Sequence, residues 1–342
     1  MQVVFVMKIC YTNNKQKNDK GNFFKMKEFV ITENDSGQRI DKFILKTFPA
    51  LSKGVMCKAV RTKNVKLNGK RCEISTHLST GDNLKIFIKD ELLGVQKSEQ
   101  KADFMNADDI MERDIVYEDE NIILINKKPG IIVHSDDKNS GNTLVDMVKK
   151  YLFKRNEYNP LEENSFAPSI CNRLDRNTAG IVIAAKNAKA LREINRKIQE
   201  NEITKKYLCL CANKPPKDEE TITAYHRKES SSNTVTLRKT AAEGYKQIIT
   251  RYKVVEKTDN AFLVEVQLVT GRTHQIRAHM AFIGSAIIGD KKYGDKNINK
   301  KYNYKHQTLC AYKISFDLSP ADSYLKYLDN KEFSVNDVWF IR

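Results

Sequence analysis

The sequence reads as an α+β protein in two unequal parts, and three observations lead there. From Ile115 to Phe316 apolar residues recur mostly at the two-residue spacing of strands, interrupted by a few segments at helical spacing. Before that stretch lies a smaller α/β unit in which two short helical segments precede short strands. Between the two, residues 91–111 are polar and contain the run Lys97-Ser-Glu-Gln-Lys101, which reads as a linker. Periodicity is compatible with this class but does not choose it unaided; the motifs below supply the choice.

Composition excludes several kinds of protein. The 342 residues carry 59 Lys+Arg against 43 Asp+Glu, a formal net charge of +16. A chain of this length can bury a sizeable core, and 15 Phe with 14 Tyr exclude a wholly disordered one. No apolar run approaches the roughly 20 residues that cross a bilayer. The opening MQVVFVMKICY has no basic segment before its apolar stretch, unlike a signal peptide. The excess positive charge favours a polyanionic partner, although charge alone also serves solubility. Seven cysteines, odd in number and scattered, argue against a disulfide framework and for the cytoplasm. Cys209 and Cys211, in the alternating run Tyr207-Leu-Cys-Leu-Cys211, read as small core residues.

Residues 11–25 are polar and without period, and Met26 opens an alternating segment. Residues 1–25 are therefore expected to be a disordered leader or a non-native extension, with 26–90 as the first domain. In it, Phe43, Ile44, Thr47 and Phe48 share a helical face that Pro49 ends. Ser52 is placed to cap a second helix from Lys53 to Thr62 that carries Val55, Met56, Ala59 and Val60. Val65-Lys-Leu-Asn-Gly69 is a strand meeting a hairpin turn, and Asn83–Ile88 alternates as a further strand. Two helices followed by small strands can present Lys53, Lys58, Arg61, Lys63 and Lys66 together. The order of elements, with Arg39-x-Asp-Lys-Phe43, Leu51-Ser-Lys53 and Val65-x-Leu-Asn-Gly69, resembles the alpha-L RNA-binding domain of the S-four type.

Residues 112–342 form the expected second domain. Ile115 to Gly130 reads as strand, acidic turn, strand and Pro-Gly turn, with His134 shortly after. Helices are expected over Thr143–Tyr151 and Asn187–Asn201, and a buried strand over Ile181–Ala185. Just before that strand, Asp175 lies between Arg173 and Arg176; alone, such a run usually means a surface ion pair. Tyr207, read alone as a half-buried strand tyrosine, opens the apolar strand Leu208–Ala212. Thr270 to His279 gathers Arg272, His274, Gln275, Arg277 and His279 at a strand-to-helix transition. So many donors suit a phosphate-binding turn or the edge of an active site better than a core. His274 and His279 are not at the i, i+4 spacing of a zinc helix and have no accompanying carboxylate, so no metal is expected.

Taken in order, Tyr117-Glu-Asp-Glu, Asn126-Lys-x-Pro-Gly130 with His134, Asn172-Arg-Leu-Asp-Arg-Asn-Thr-Ala-Gly180, Lys205-x-Tyr207, Thr270-Gly-Arg-Thr-His-Gln-Ile-Arg-Ala-His279, Gly289-Asp-x-x-Tyr-Gly294 and Gln307-x-Leu-x-Ala311 look like the signature motifs of the RluA-type RNA pseudouridine synthases. The resemblance runs from about residue 30 to 318. Asn172 stands where the family usually has His, Asn177 and Ala179 where it has Asp and Ser, and Cys310 where it often has His. These are read as positions that support the site and tune preference and rate.

The resemblance implies a mixed, largely antiparallel central sheet with the site in a cleft. It also implies an isomerase that detaches uracil at N1 and rejoins it through carbon 5, needing no cofactor. It assigns the catalytic roles to Asp175, Tyr207 and Arg277. Substrate contacts fall to Arg173, Leu174, Arg176, Thr178, Arg272, His274, Gln275 and Ile276. The implied partner is RNA, with large-subunit ribosomal RNA favoured and transfer RNA possible, acted on by a monomer. Two alternatives are a non-catalytic RNA-binding or ribosome-assembly protein on the same fold, and a glycosylase releasing free uracil. The lysines of Lys291–Lys305 are read as solvation.

Overall fold

The computed structural model describes residues 15–17, 23–93, 103–135, 142–229, 234–258, 260–319 and 323–341. Packing divides the chain into two units. One gathers the residues through Ala107 with Asp146–Pro168 and Asn187–Lys189; the other comprises Asp108–Val145, Ser169–Lys186 and Ala190–Arg342. The units are thus not the contiguous segments expected from composition. A buried polar group shows why. Asp35 is fully buried, and its carboxylate accepts from Asn164 Nδ2 at 2.7 Å and Ser165 Oγ at 2.6 Å. A buried carboxylate needs such donors, and here a distant stretch of chain supplies them.

The first unit contains β1 (Lys15–Lys17), β2 (Phe23–Val30), α1 (Ile40–Thr47), α2 (Lys53–Arg61), β3 (Val65–Leu67), β4 (Lys70–Arg71), β5 (Asn83–Phe87) and α3 (Asp90–Leu93). Its strands run in the order β1-β2-β5-β3-β4. Because β2 starts at Phe23 and pairs with β1, the boundary expected at Met26 falls inside a strand. Residues 1–14 and 18–22 of the expected leader lie outside the described residues. Phe43, Ile44, Met56, Val60, Leu84 and Ile86 form the core that holds the helices on the sheet. Ser52 Oγ accepts from the Val55 amide, as its capping position requires. Asn68 and Gly69 take positive φ values of 51° and 76°, the geometry of a tight hairpin turn.

The elements that follow are β6 (Ile115–Glu118), β7 (Ile122–Lys127), α4 (Leu144–Lys154), β8 (Ser169–Ile170), β9 (Ala179–Ala185), α5 (Ala188–Gln199), β10 (Ile203–Cys211), β11 (Glu219–Glu229), β12 (Thr234–Arg238), β13 (Lys246–Lys257), β14 (Phe262–Leu268), α6 (Gln275–Phe282), α7 (Lys296–Tyr302), β15 (Leu309–Phe316) and β16 (Glu332–Ser334). The strands of the second unit form one sheet in the order β12-β11-β13-β14-β10-β15-β9-β7-β6, with β16 on β15 and β8 on β9. Every pairing is antiparallel except β15 with β9. The mixed, largely antiparallel sheet is therefore as expected. All seven residues of β9 are buried, so both faces of the sheet centre are covered. Cys209 and Cys211 are fully buried in β10.

Two irregularities at the sheet centre shape what lies above it. The β10–β15 register slips between Lys206 and Leu208, so Tyr207 sits where Ala311 and Tyr312 bulge; a bulge turns a side chain away from regular alternation. Gly180 pairs with Ala311 across the parallel junction at a φ of +113°. A Cβ at Gly180 would lie 2.3 Å from the Ala311 carbonyl oxygen, so only glycine permits this approach.

Candidate active site

Asp175 lies in the turn between β8 and β9, a segment tied down from below. The ammonium of Lys127, at the end of β7, donates to the carbonyls of Lys128, Ile131 and Arg176 at 3.0, 3.1 and 3.0 Å. Three acceptors match the three donors of a lysine ammonium. Burial pushes Lys127 down to about 7, with the Asp175 charge opposing that fall. The Gly130 amide also donates to the Arg176 carbonyl, so the Pro-Gly turn and the Asp175 turn form one hydrogen-bonded layer.

Arg277, in the first turn of α6, reaches Asp175 from the other side. Its Nη1 donates to Asp175 Oδ2 at 2.8 Å. Its Nε and Nη2 grip both oxygens of Asp290 at 2.7 and 2.9 Å. Burial works against the guanidinium charge, but Asp290 and Asp175 outweigh it and raise the Arg277 pKa above its ordinary value. The Tyr293 ring lies 5.2 Å from the guanidinium carbon, and its hydroxyl is 2.9 Å from His274 Nδ1. His274 Nε2 stands 3.8 Å from Asp175 Oδ2. Burial lowers His274 to about 4 despite Asp175, so the imidazole is neutral at pH 7.

Asp175, Tyr207 and Arg277 line one small, open cavity. With them stand Arg173, Leu174, Thr178, Arg272, His274, Gln275 and Ile276. All of the residues singled out around the catalytic three are thus brought together except Arg176. Its guanidinium is turned to the Gly130 carbonyl at 3.1 Å and does not line the cavity. Gln275 is present but spent on structure. Its oxygen accepts from the Thr270 hydroxyl and the Arg272 amide, and its nitrogen donates to the Ile249 carbonyl and Thr250 hydroxyl. It staples the turn that presents Arg272 and His274. Thr178 is likewise held, accepting from Gln307 Nε2 at 2.8 Å.

Leu268 and Leu309 complete the apolar wall; Leu309 stood inside the quoted Gln307-x-Leu-x-Ala311 motif, whereas Leu268, an ordinary strand residue, gave no signal in the sequence. Lys127, Asp290 and Tyr293 stood inside quoted motifs, but only the fold shows that they converge beneath Asp175 and Arg277. Asn172, one of the departures, accepts from the Ile183 amide at 2.7 Å and donates to the Ile181 carbonyl, bracing β9. Tyr207 is not the start of its strand, as expected, but its fifth residue. The lysines read as solvation include Lys291 and Lys305, whose charges, with those of Lys127 and Arg176, add to burial in lowering the His306 pKa. In the first unit Lys53, Lys58, Arg61, Lys63 and Lys66 are all exposed. Of these, Lys58 and Arg61 line a groove together with Arg39 and Arg71.

The family model described as RNA pseudouridylate synthase matches residues 121–282. An uncharacterised RNA pseudouridine synthase of Mycoplasma genitalium is 34% identical over 297 residues, covering 84% of this chain and 88% of that one. The chain belongs to the RNA pseudouridine synthases. The ribosomal large subunit pseudouridine synthase C of Rickettsia felis is 32% identical to this synthase over 277 residues, 78% of this chain and 86% of the other. The solved structure of human RNA pseudouridylate synthase domain containing 4 shares the fold, with a TM-score of 0.51 at 20% identity over 65% of this chain and 88% of that one. The synthase is accordingly an isomerase acting on uridine in RNA, and the alternative of a non-catalytic binding protein is set aside. Among the described residues no helix is long and apolar enough to cross a membrane.

Proposed function

We propose that this synthase modifies uridines of large-subunit ribosomal RNA, with Asp175 as the carboxylate that acts at the anomeric carbon. The observation that carries this reading is the convergence of Asp175, Arg277 and Tyr207 on one cavity, with Arg277 Nη1 2.8 Å from Asp175. Relatives named for the large ribosomal subunit support the choice of RNA.

The chemistry follows from the surroundings. A target uridine must leave its stack, at a cost of a few kcal/mol if paired, and Arg173 and Arg272 at the exposed rim can hold its flanking phosphates. Leu174, Leu268, Ile276 and Leu309 give the cavity an apolar wall, which limits the water that would turn isomerisation into hydrolysis. Asp175 acts beside the sugar while the N1 bond breaks. The uracil turns, carbon 5 bonds to the anomeric carbon, the carbon-5 proton leaves and N1 gains one. Tyr207 offers its ring for stacking. Burial first, and then Asp175, hold its phenol pKa above the ordinary value, so the hydroxyl keeps its proton. Neutral His274 adds no second cation to compete with Arg277 for the carboxylate. Lys53, Lys58, Arg61, Lys63 and Lys66 dock the RNA backbone on the first unit.

Asp175→Asn tests the assignment. The probe is total RNA, tritiated at uracil carbon 5, from cells lacking the gene. The variant is expected to release no tritium while its RNA Kd stays within about threefold. Wild-type release would sink the role of Asp175. Large-subunit RNA unchanged in pseudouridine content on loss of the gene would sink the choice of target.

A further inference from the structure

We infer that Asp290 is a positioning residue of this synthase, one that holds Arg277 so that a single guanidinium nitrogen is left for Asp175. The inference rests on the reading of Asp175 given above and goes beyond it.

Free arginine side chains sample many rotamers, and an unsupported guanidinium can offer a carboxylate any of several donor edges. Here the choice is removed. Nε and Nη2 together occupy both Asp290 oxygens, a two-point grip that fixes the guanidinium plane as well as its position. Only Nη1 remains on the Asp175 side, at 2.8 Å. The Asp290 side chain is 1% exposed and that of Arg277 7%, against 27% for Asp175. The grip is therefore sealed from solvent, whereas its product faces the cavity.

Asp290 is itself fixed from behind. Its Oδ1 accepts from the Lys292 and Tyr293 amides at 2.8 and 3.1 Å, and the Gly294 amide and Asn299 Nδ2 both donate to its carbonyl. Gly289 lets the turn form: its φ is +80°, and a Cβ there would lie 2.2 Å from the His306 carbonyl oxygen. The same turn carries Tyr293, which covers the guanidinium and meets His274. A carboxylate that touches no reacting atom thus sets the geometry of one that does.

The test is a double-variant cycle in single turnover on the tritiated RNA defined above. Asp290→Asn keeps the shape and an acceptor for the backbone amides but loses the charged grip. It is expected to slow tritium release about 10- to 100-fold, with RNA Kd within threefold. In an Arg277→Lys background, where no two-point grip exists, the same change is expected to alter the rate less than threefold. A merely structural role moves both backgrounds equally. Equal losses in both, or a wild-type rate for Asp290→Asn, overturn the inference. Should Asp290→Asn melt below the assay temperature, Asp290→Glu, which keeps the charge one methylene further out, carries the cycle under the same criteria. Failure of both to fold while Arg277→Lys folds also overturns it. Asp175→Asn separates the two claims: activity there defeats the underlying reading, whereas an inactive Asp175→Asn with an additive cycle defeats only the role of Asp290.

Discussion

Gly180→Ala places one methyl group at the point where β9 and β15 touch. The added Cβ would meet the Ala311 oxygen, nitrogen and carbonyl carbon at 2.3, 2.5 and 2.6 Å. All three are backbone atoms, so no side-chain rotation can relieve the overlap, and the strands must part by roughly 1 Å to restore van der Waals contact. An L-residue held at a φ of +113° adds about 1–3 kcal/mol of strain, and overpacking a core adds about 1–3 kcal/mol. The expected loss of stability is about 2–6 kcal/mol, read as a lowered urea midpoint with unchanged m-value. The functional effect has a separate origin. Ala311 belongs to the bulge opposite Tyr207, so parting the strands shifts Tyr207 against Asp175. A displacement near 1 Å at a reacting centre costs on the order of 100-fold in rate. Tritium release measured well below the variant's melting temperature, at saturating RNA, reads that effect apart from stability. A variant that is as stable and as active as wild type would refute the argument. Full activity with lost stability would refute its second half, the coupling through the bulge.

Three further outcomes are expected. Arg277→Ala should cost about 3–5 kcal/mol at neutral pH, because Asp290 is left buried and unpaired. In the wild type, burial opposes the Asp290 charge but Arg277 and two backbone amides outweigh it and lower its pKa. Its stabilisation is thus present above the unfolded value and lost as pH falls through the folded one. Without Arg277 the sign reverses, so the stability gap between variant and wild type should narrow from pH 7.5 to 5.5; a gap that does not narrow counts against this account. His279, fully buried with Nδ1 against the Thr250 hydroxyl, is lowered to about 4 by burial. Its contribution is full above the unfolded pKa of about 6.5 and fades as pH drops toward about 4. His279→Gln should flatten the stability–pH curve there by up to about 1.4 kcal/mol per pH unit, and an unchanged slope would exclude His279 as its source. Lys58→Ala with Arg61→Ala should weaken RNA binding and make the salt slope shallower by roughly 1.4–1.8. A slope equal to wild type would argue against docking on that face.

Much of the local structure was legible in the sequence because it is decided locally. Ser52, Asn68-Gly69 and the alternation of Asn83–Phe87 each act through neighbouring backbone, and each element stands where that chemistry puts it. The site residues were legible for another reason: Asp175, Tyr207, Arg272, His274 and Arg277 occur in motifs whose order and spacing are specific. Arg176 shows the limit of that reading. It stands in the same motif as Asp175, yet its guanidinium turns to the Gly130 carbonyl, a choice set by a turn more than forty residues away in the chain.

By itself the sequence determined the caps and turns, which depend on local propensity, and through the order and spacing of its motifs it pointed to the class of fold and to the polar residues that must find one another. Tertiary structure alone decided that Tyr207 sits opposite a bulge, that β9 and β15 run parallel at Gly180, that Gln275 is consumed by the loop it staples, and that Asp290 grips Arg277. Those facts depend on which distant backbones come within hydrogen-bonding reach, and no local pattern carries that information. The charge of +16 divides in the same way: its sign was readable as a polyanion partner. Only the fold separates Lys127 and Arg277, buried and holding the site together, from the lysines left at the surface.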